Sequence, residues 1–129
     1  MAVLVDTSIW IRWFRGVSIK KPDPRMMDGV VTCSPILQEL FQGFEDLPAH
    51  SQLRLSLLAV PRLTDPVPVD VFLAAADIYR LARRKGHPIQ SSIDCLIAAI
   101  AIRNDVPVAH ADQDFNTIAR FTSLRIAKL

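Results

Sequence analysis

The sequence lacks any apolar run of the roughly 18 residues that a membrane span requires, and it opens on a strand-like segment instead of a basic stretch followed by an apolar one. Only two cysteines are present, Cys33 and Cys95, far apart and without a CxxC pair or paired histidines. This spacing indicates neither a disulfide framework nor a zinc site. We therefore expect a soluble, cytoplasmic protein with no membrane partner, whose cysteines are reduced and structural.

The chain also has few glycines and a small net charge. With four glycines, the chain has no glycine-rich loop of the kind that cradles phosphates, which argues against a nucleotide-binding enzyme. The net charge of +2 is too small to identify a nucleic-acid partner by itself. Eleven of the fifteen basic residues are arginine, whose guanidinium group binds phosphate in a bidentate manner that lysine cannot match, and this weakly indicates a phosphate-bearing partner.

What the chain does contain is an alternation of strand and helix patterns within one domain, residues 1–129, because a chain that is 50% hydrophobic at this length can bury a single core. Strands are predicted at 3–5, 30–33, 106–109 and 124–126, and helices at 9–14, 34–43, 47–59, 70–85, 91–104 and 112–121. A loop at 17–29 leads into a short helix, and 61–69 is extended. This order predicts an α/β fold with a mostly parallel sheet and helices on both faces, in which ligands bind beyond the carboxyl ends of the strands.

Acidic residues cluster at that predicted edge. Asp6, Asp112 and Asp114 come directly after candidate strands, and Glu39 follows the second strand within about two helical turns. Asp94 is the one charged residue in the first turns of an otherwise apolar helix. Burying a lone carboxylate costs several kcal/mol unless another group compensates it.

A divalent cation is one such compensating group. Hard oxygen ligands select Mg²⁺ or Mn²⁺, whereas a cluster of acids without a cation repels itself and raises its own pKa values. A cation held in this way lowers the pKa of bound water and offsets the charge that develops on a phosphate. The acids therefore favour phosphodiester hydrolysis.

Each acid also has a simpler interpretation. Asp6 and Asp112 are suitable N-caps, and Asp94 fits the distal position of a capping box that begins three residues earlier. Glu39, on spacing alone, is best explained as exposed helix surface, and Asp114 as a favourable charge in a first helical turn. Only the set as a whole favours a site.

Four segments carry a resemblance to a known family. They are VLVDTS at 3–8, QEL at 38–40, SIDCLIAA at 92–99 and ADQDF at 111–115. In order and spacing the chain resembles the PIN-domain ribonucleases, in particular the VapC toxins. The resemblance implies a three-layer α/β/α fold around a mostly parallel sheet, with an acidic pocket that binds Mg²⁺ or Mn²⁺ and cleaves RNA.

The resemblance also implies roles for the acids. By position, Asp6, Glu39 and Asp94 match the core catalytic acids, and Asp112 and Asp114 match the more variable fourth acidic position and its neighbour. The expected metal ligands are then the four aspartates.

Two neighbouring positions bear on this assignment. Thr7 matches the hydroxyl residue that supports the first acid in the family. His110 departs from the family pattern, which more often has threonine or serine before the last acids.

Partners are likewise implied by the resemblance. VapC-like toxins usually pair with a small VapB-like antitoxin and commonly form homodimers, and we expect both here. Arg12, Arg15, Arg83 and Arg84 are candidate RNA contacts, although exposed helix ends explain them as well.

The leading hypothesis is therefore a toxin endoribonuclease that uses a carboxylate-bound cation and an activated water. The alternative is a PIN-fold module that binds RNA or protein without catalysis. A phosphatase on a similar sheet is disfavoured, because no second aspartate stands two residues after Asp6.

Overall fold

The computed structural model describes residues 1–15, 27–44 and 50–128. Its strands are β1 (Val3–Val5), β2 (Val30–Val31) and β3 (Val108–Ala109), and its helices are α1 (Thr7–Phe14), α2 (Ser34–Gln42), α3 (His50–Leu58), α4 (Val69–Arg84), α5 (Ser92–Asn104) and α6 (Gln113–Phe121). Most of the predicted 17–29 loop and the first residues of the predicted 47–59 helix lie outside the described residues. None of the helices in the described ranges is long and apolar enough to cross a membrane.

The sheet is parallel, with strand order β2-β1-β3. Val3 pairs with Val30 on one side of β1, and Leu4 pairs with Val108 on the other. Leu4 and Val108 are fully buried. Such uniformly apolar strands are typical of a parallel sheet that is covered on both faces.

Three predicted strands are shorter in the structure. The strand predicted at 106–109 is formed only at Val108–Ala109. Beyond β2, Thr32 forms only an isolated bridge with Arg62, and Cys33 already serves as the N-cap of α2. Beyond β3, the predicted last strand is reduced to one bridge between Val108 and Ile126. From Ser34 and Pro35 the sequence predicts an N-cap at Ser34, but Ser34 is already the first helical residue, so the cap lies one residue earlier.

The apolar residues nearly all round 91–104 predict a central, largely buried helix, and α5 is that helix. Residues 97–101 of this helix are all buried. Beside it, α4 buries Val71, Ala75, Ile78 and Ala82, whose spacing of three to four residues forms one helical face. The long helix α4 ends at Gly86, which has a φ of 79° that suits glycine.

The sequence also predicts that at least one of the two tryptophans packs in the core and that both cysteines are reduced, and the structure agrees. Trp10 and Trp13 are both buried and pack edge to face, with 5.1 Å between their ring centroids. Cys33 and Cys95 are free thiols that lie buried in the core.

The strand order reverses direction at β1, which is therefore the topological switch point of the sheet. The chain runs from β1 to β2 on one side and then returns past β1 to β3 on the other. In open α/β sheets, ligands bind at the carboxyl end of the strand where the order reverses. Asp6 follows the last residue of β1 and therefore lies at this switch point.

Candidate active site

The first acid, Asp6, is both an N-cap and a buried site residue. One carboxylate oxygen, Oδ2, accepts the backbone N–H of Ser8 at 3.0 Å and also accepts the Ser8 hydroxyl. Asp6 is 3% exposed, and its other oxygen, Oδ1, is buried without a hydrogen-bond partner in the described part of the chain. Burial raises the pKa of Asp6 above its ordinary value, although the bonds from Ser8 oppose this rise. The capping interpretation is therefore correct and leaves one oxygen free.

Glu39 does not lie on an exposed helix face, so the simpler interpretation of this residue is wrong. It is half-buried on α2, and its Oε1 accepts the Thr7 hydroxyl at 3.0 Å. Thr7 was expected to support the first acid, but its hydroxyl supports Glu39, and Ser8 supplies the hydroxyl at Asp6. Burial raises the pKa of Glu39.

Asp94 is the acid with the most strongly perturbed protonation. It is 4% exposed in the first turn of α5, and its Oδ2 has no hydrogen-bond partner among the residues described. The capping box is not formed, because the side chain of Ser91 makes no capping bond. Burial, a hydrogen bond with Asp114 and repulsion from nearby carboxylates raise the pKa of Asp94 to about 9.

Asp112 and Asp114 have different partners. Asp112 caps α6 by accepting the backbone N–H of Asp114 at 3.0 Å. Asp114 is 4% exposed, and its two oxygens accept the backbone N–H groups of Gln90 and Ser91, each at 3.0 Å. Asp114 thus ties the start of α6 to the start of α5, a role that a simple first-turn charge does not have.

His110 orients the loop between β3 and α6. Its Nδ1 accepts the backbone N–H of Asp112 at 3.1 Å, and its ring packs against Phe115 with 5.2 Å between centroids. Burial lowers the pKa of His110, which favours the neutral ring that this acceptor role requires.

The five acids converge into two overlapping groups. One contains Asp6, Glu39 and Asp94, the other contains Asp94, Asp112 and Asp114, and within each group one oxygen per residue lies within 4.8 Å of the others. Two of the buried oxygens, on Asp6 and Asp94, lack a protein partner in the described ranges. A buried acceptor without a donor is costly, and a divalent cation that favours hard oxygen ligands would satisfy both. The residues present therefore fit such a cation.

The candidate RNA-contact arginines lie at the ends of two helices. Arg12 and Arg15 are exposed at the end of α1, and Arg83 and Arg84 are exposed in the last turn of α4. The guanidinium of Arg83 lies over the ring of Tyr79 at 5.8 Å. Within the described residues, none of the five site acids forms a salt bridge with an arginine.

Comparison with known proteins agrees with this geometry. Residues 3–121 match the PIN domain family. The chain belongs to the PIN-domain family. Ribonuclease VapC11 from Mycobacterium tuberculosis and VapC ribonuclease Mb1587 from Mycobacterium bovis are each 38% identical to it, over 97% of this chain and 97% of the relative.

Solved structures support the same fold for this PIN domain. VapBC-5 from Mycobacterium tuberculosis, described as a member of the VapBC family of toxin-antitoxin systems, matches with a TM-score of 0.69 and 25% identity over 100% of both chains. VapBC-1 from nontypeable Haemophilus influenzae matches with a TM-score of 0.71 and 18% identity over 98% of this chain and 97% of that one. The predicted α/β PIN-like fold is confirmed.

We expect the affinity of the PIN domain for Mn²⁺ to rise with pH up to about 9, because Asp94 has a pKa of about 9 and must lose its proton before it binds a cation. The slope should approach about tenfold per pH unit while one proton leaves per ion. The stability of the metal-free fold should change in the opposite direction. The pKa of Asp94 is 3.8 ordinarily and about 9 in the fold, so the free energy of unfolding should fall as pH rises from 3.8 towards 9. Calorimetric titration at several pH values tests the first expectation, and a flat profile contradicts it.

Asp114→Asn and Asp112→Asn should differ in their effect on metal-free stability. An amide at position 114 offers one acceptor for the two part-buried N–H groups of Gln90 and Ser91 and removes the charge from both bonds, so the free energy of unfolding should fall by about 1–3 kcal/mol. Asparagine is as good an N-cap as aspartate, so the change at position 112 should cost less than about 0.5 kcal/mol. Urea unfolding in EDTA measures both. Equal losses would show that Asp114 has no special structural role.

Proposed function

We propose that this PIN domain is a metal-dependent endoribonuclease of the VapC type, which hydrolyses phosphodiester bonds in RNA. The observation that carries the proposal is the convergence of five acids at the switch point of the sheet, where Asp6 and Asp94 each have a buried oxygen with no partner among the described residues. The 38% identity to VapC ribonucleases along nearly the whole chain supports it independently.

Four aspartates are proposed to hold the cation: Asp6, Asp94, Asp112 and Asp114. Mg²⁺ is the expected ion, and Mn²⁺ takes the same oxygen ligands. When bound, the cation would lower the pKa of a water molecule and offset negative charge on the scissile phosphate. Asp94 belongs to both acidic groups, so its ionisation controls both at once.

Glu39 is proposed to act in proton transfer. The Thr7 hydroxyl fixes one of its oxygens, and burial raises its pKa toward the range in which a carboxylate accepts a proton effectively. Glu39 lies in the same acidic group as Asp6 and Asp94. These contacts support a role for Glu39 as the acceptor of the proton of the attacking water.

RNA contact is proposed for the four exposed arginines. Arg12 and Arg15 end the helix that begins at Asp6, and Arg83 and Arg84 end α4. Each can neutralise a phosphate and release counterions, which gives affinity without sequence preference.

A VapB-like antitoxin is the proposed partner, because the matching structure VapBC-5 is a member of the VapBC family of toxin-antitoxin systems.

We also propose a homodimer formed through α4. Val69, Phe72 and Leu73 are 73%, 50% and 62% exposed on this helix, and a groove of about 590 Å³ between α4 and α5 lies beside Phe72. Exposed apolar surface of this kind is typical of protein interfaces.

The cytoplasmic location expected from the sequence stays a prediction.

Asp94→Asn should reduce metal-dependent RNA cleavage by about 100-fold or more, because the amide cannot ionise to bind a cation. The variant should fold normally, since the wild-type side chain is itself uncharged at neutral pH when its pKa is about 9. Total cellular RNA is incubated with each protein in Mg²⁺, in Mn²⁺ and in EDTA, and the cut ends are sequenced.

The matched control is Asp77→Asn, which alters an exposed carboxylate on α4 that pairs with Arg80. It should cleave as the wild type does. A folded Asp94→Asn protein that cuts RNA at the wild-type rate would overturn the proposed site. Absence of metal-dependent cuts by antitoxin-free wild type would favour the non-catalytic binding module.

Phe72→Glu should convert the antitoxin-free protein from dimer to monomer, because a charge in the centre of a dimer interface is left unpaired. Sedimentation analysis measures the mass. Leu55→Glu, at a 68% exposed position on α3, is the control and should stay dimeric. A dimeric Phe72→Glu protein would place the interface elsewhere.

A further inference from the structure

We propose that Ser8 is a positioning residue, whose hydroxyl couples the first acid to the loop that carries the last two acids. The inference rests on the proposed function for its catalytic meaning. The contacts themselves are properties of the metal-free fold. Ser8 is half-buried, in the first turn of α1.

The Ser8 hydroxyl has two partners in distant segments. It donates its proton to Oδ2 of Asp6, and it accepts the backbone N–H of Ala111 at 3.0 Å across 103 positions of sequence. A hydroxyl has one proton to donate and two lone pairs with which to accept. Donation to the carboxylate fixes the orientation of the hydroxyl, which leaves its lone pairs for Ala111.

This contact continues the sheet beyond its last backbone hydrogen bond. The N–H of Asp6 donates to the carbonyl of Ala109 at 2.9 Å, after which β1 turns into α1 and the chain leaves β3. Past this point the structure gives no further backbone hydrogen bond between these two segments within the described ranges. The side chain of Ser8 supplies the next link between them.

The link sets the separation of Asp6 from Asp112. Ala111 directly precedes Asp112, whose own backbone N–H is held by His110. The backbone N–H and the hydroxyl of Ser8 together occupy Oδ2 of Asp6, which leaves Oδ1 without a partner in the described part of the chain. The same hydroxyl therefore both helps to select the available oxygen of the first acid and links that acid to the residue before Asp112.

Thr7 does not share this role. Its hydroxyl donates to Glu39 on α2, and the structure gives no contact from it to Ala111 among the described residues. The two adjacent hydroxyls thus support two different acids. This difference provides an internal control.

The test compares Ser8→Ala with Ser8→Thr. In EDTA, hydrogen exchange of the Ala111 amide should be about tenfold faster in Ser8→Ala, because the N–H loses its acceptor. Calorimetry should show affinity for Mn²⁺ about tenfold weaker, the size of effect expected for a hydrogen-bonding partner of a metal ligand. Ser8→Thr keeps the hydroxyl and should hold both values within about threefold of wild type.

Two controls separate the hydroxyl link from general effects. Ser56→Ala removes an exposed serine hydroxyl on α3 and should change neither quantity. Thr7→Val removes the contact to Glu39 and should leave exchange at Ala111 unchanged.

Three results would overturn the inference. They are unchanged exchange at Ala111 in Ser8→Ala, faster exchange with unchanged Mn²⁺ affinity, and a Ser8→Thr protein as impaired as Ser8→Ala. Failure of the wild type to cleave RNA would refute the proposed function alone, because the exchange and metal measurements do not use RNA.

Discussion

The site depends on a balance between the mutual repulsion of its carboxylates and the positive ends of three helices. Asp6 caps α1, Asp112 caps α6, and Asp94 lies in the first turn of α5. Each helix N-terminus carries unsatisfied N–H groups equivalent to roughly half a positive charge, which favours an anion there. The same helix ends suit a phosphate group. The arrangement therefore accommodates acids in the core and prepares the place where a phosphate ester would bind.

Within this arrangement, three of the acids take part in contacts between separate segments of the fold. Thr7 holds Glu39, the Ser8 hydroxyl joins Asp6 to the β3–α6 loop, and Asp114 grips the backbone that precedes α5. Ligand geometry in metal sites depends on such outer partners nearly as much as on the ligands. The site is consequently a property of several junctions of the fold acting together.

The sequence predicted the junctions better than the contacts across them. The change from an apolar run to N-cap residues at Asp6 identified the β1–α1 junction. The family resemblance identified the acids, and both the family and the fold are confirmed. The partner of Thr7 and the burial of Glu39 could not be predicted, because each depends on where a distant segment lies. The tie between Asp114 and the residues before α5 spans more than 20 positions and leaves no local pattern. Strand ends were overextended because a buried apolar residue looks the same inside a strand and just beyond it.

The raised pKa of Asp94 also affects the folding of the metal-free protein. At neutral pH this side chain is uncharged in the metal-free fold, so one buried member of the acidic cluster does not oppose collapse of the core. A cation that bound beside Asp94 would therefore meet a fold that is already assembled, and its binding would release the proton of this side chain.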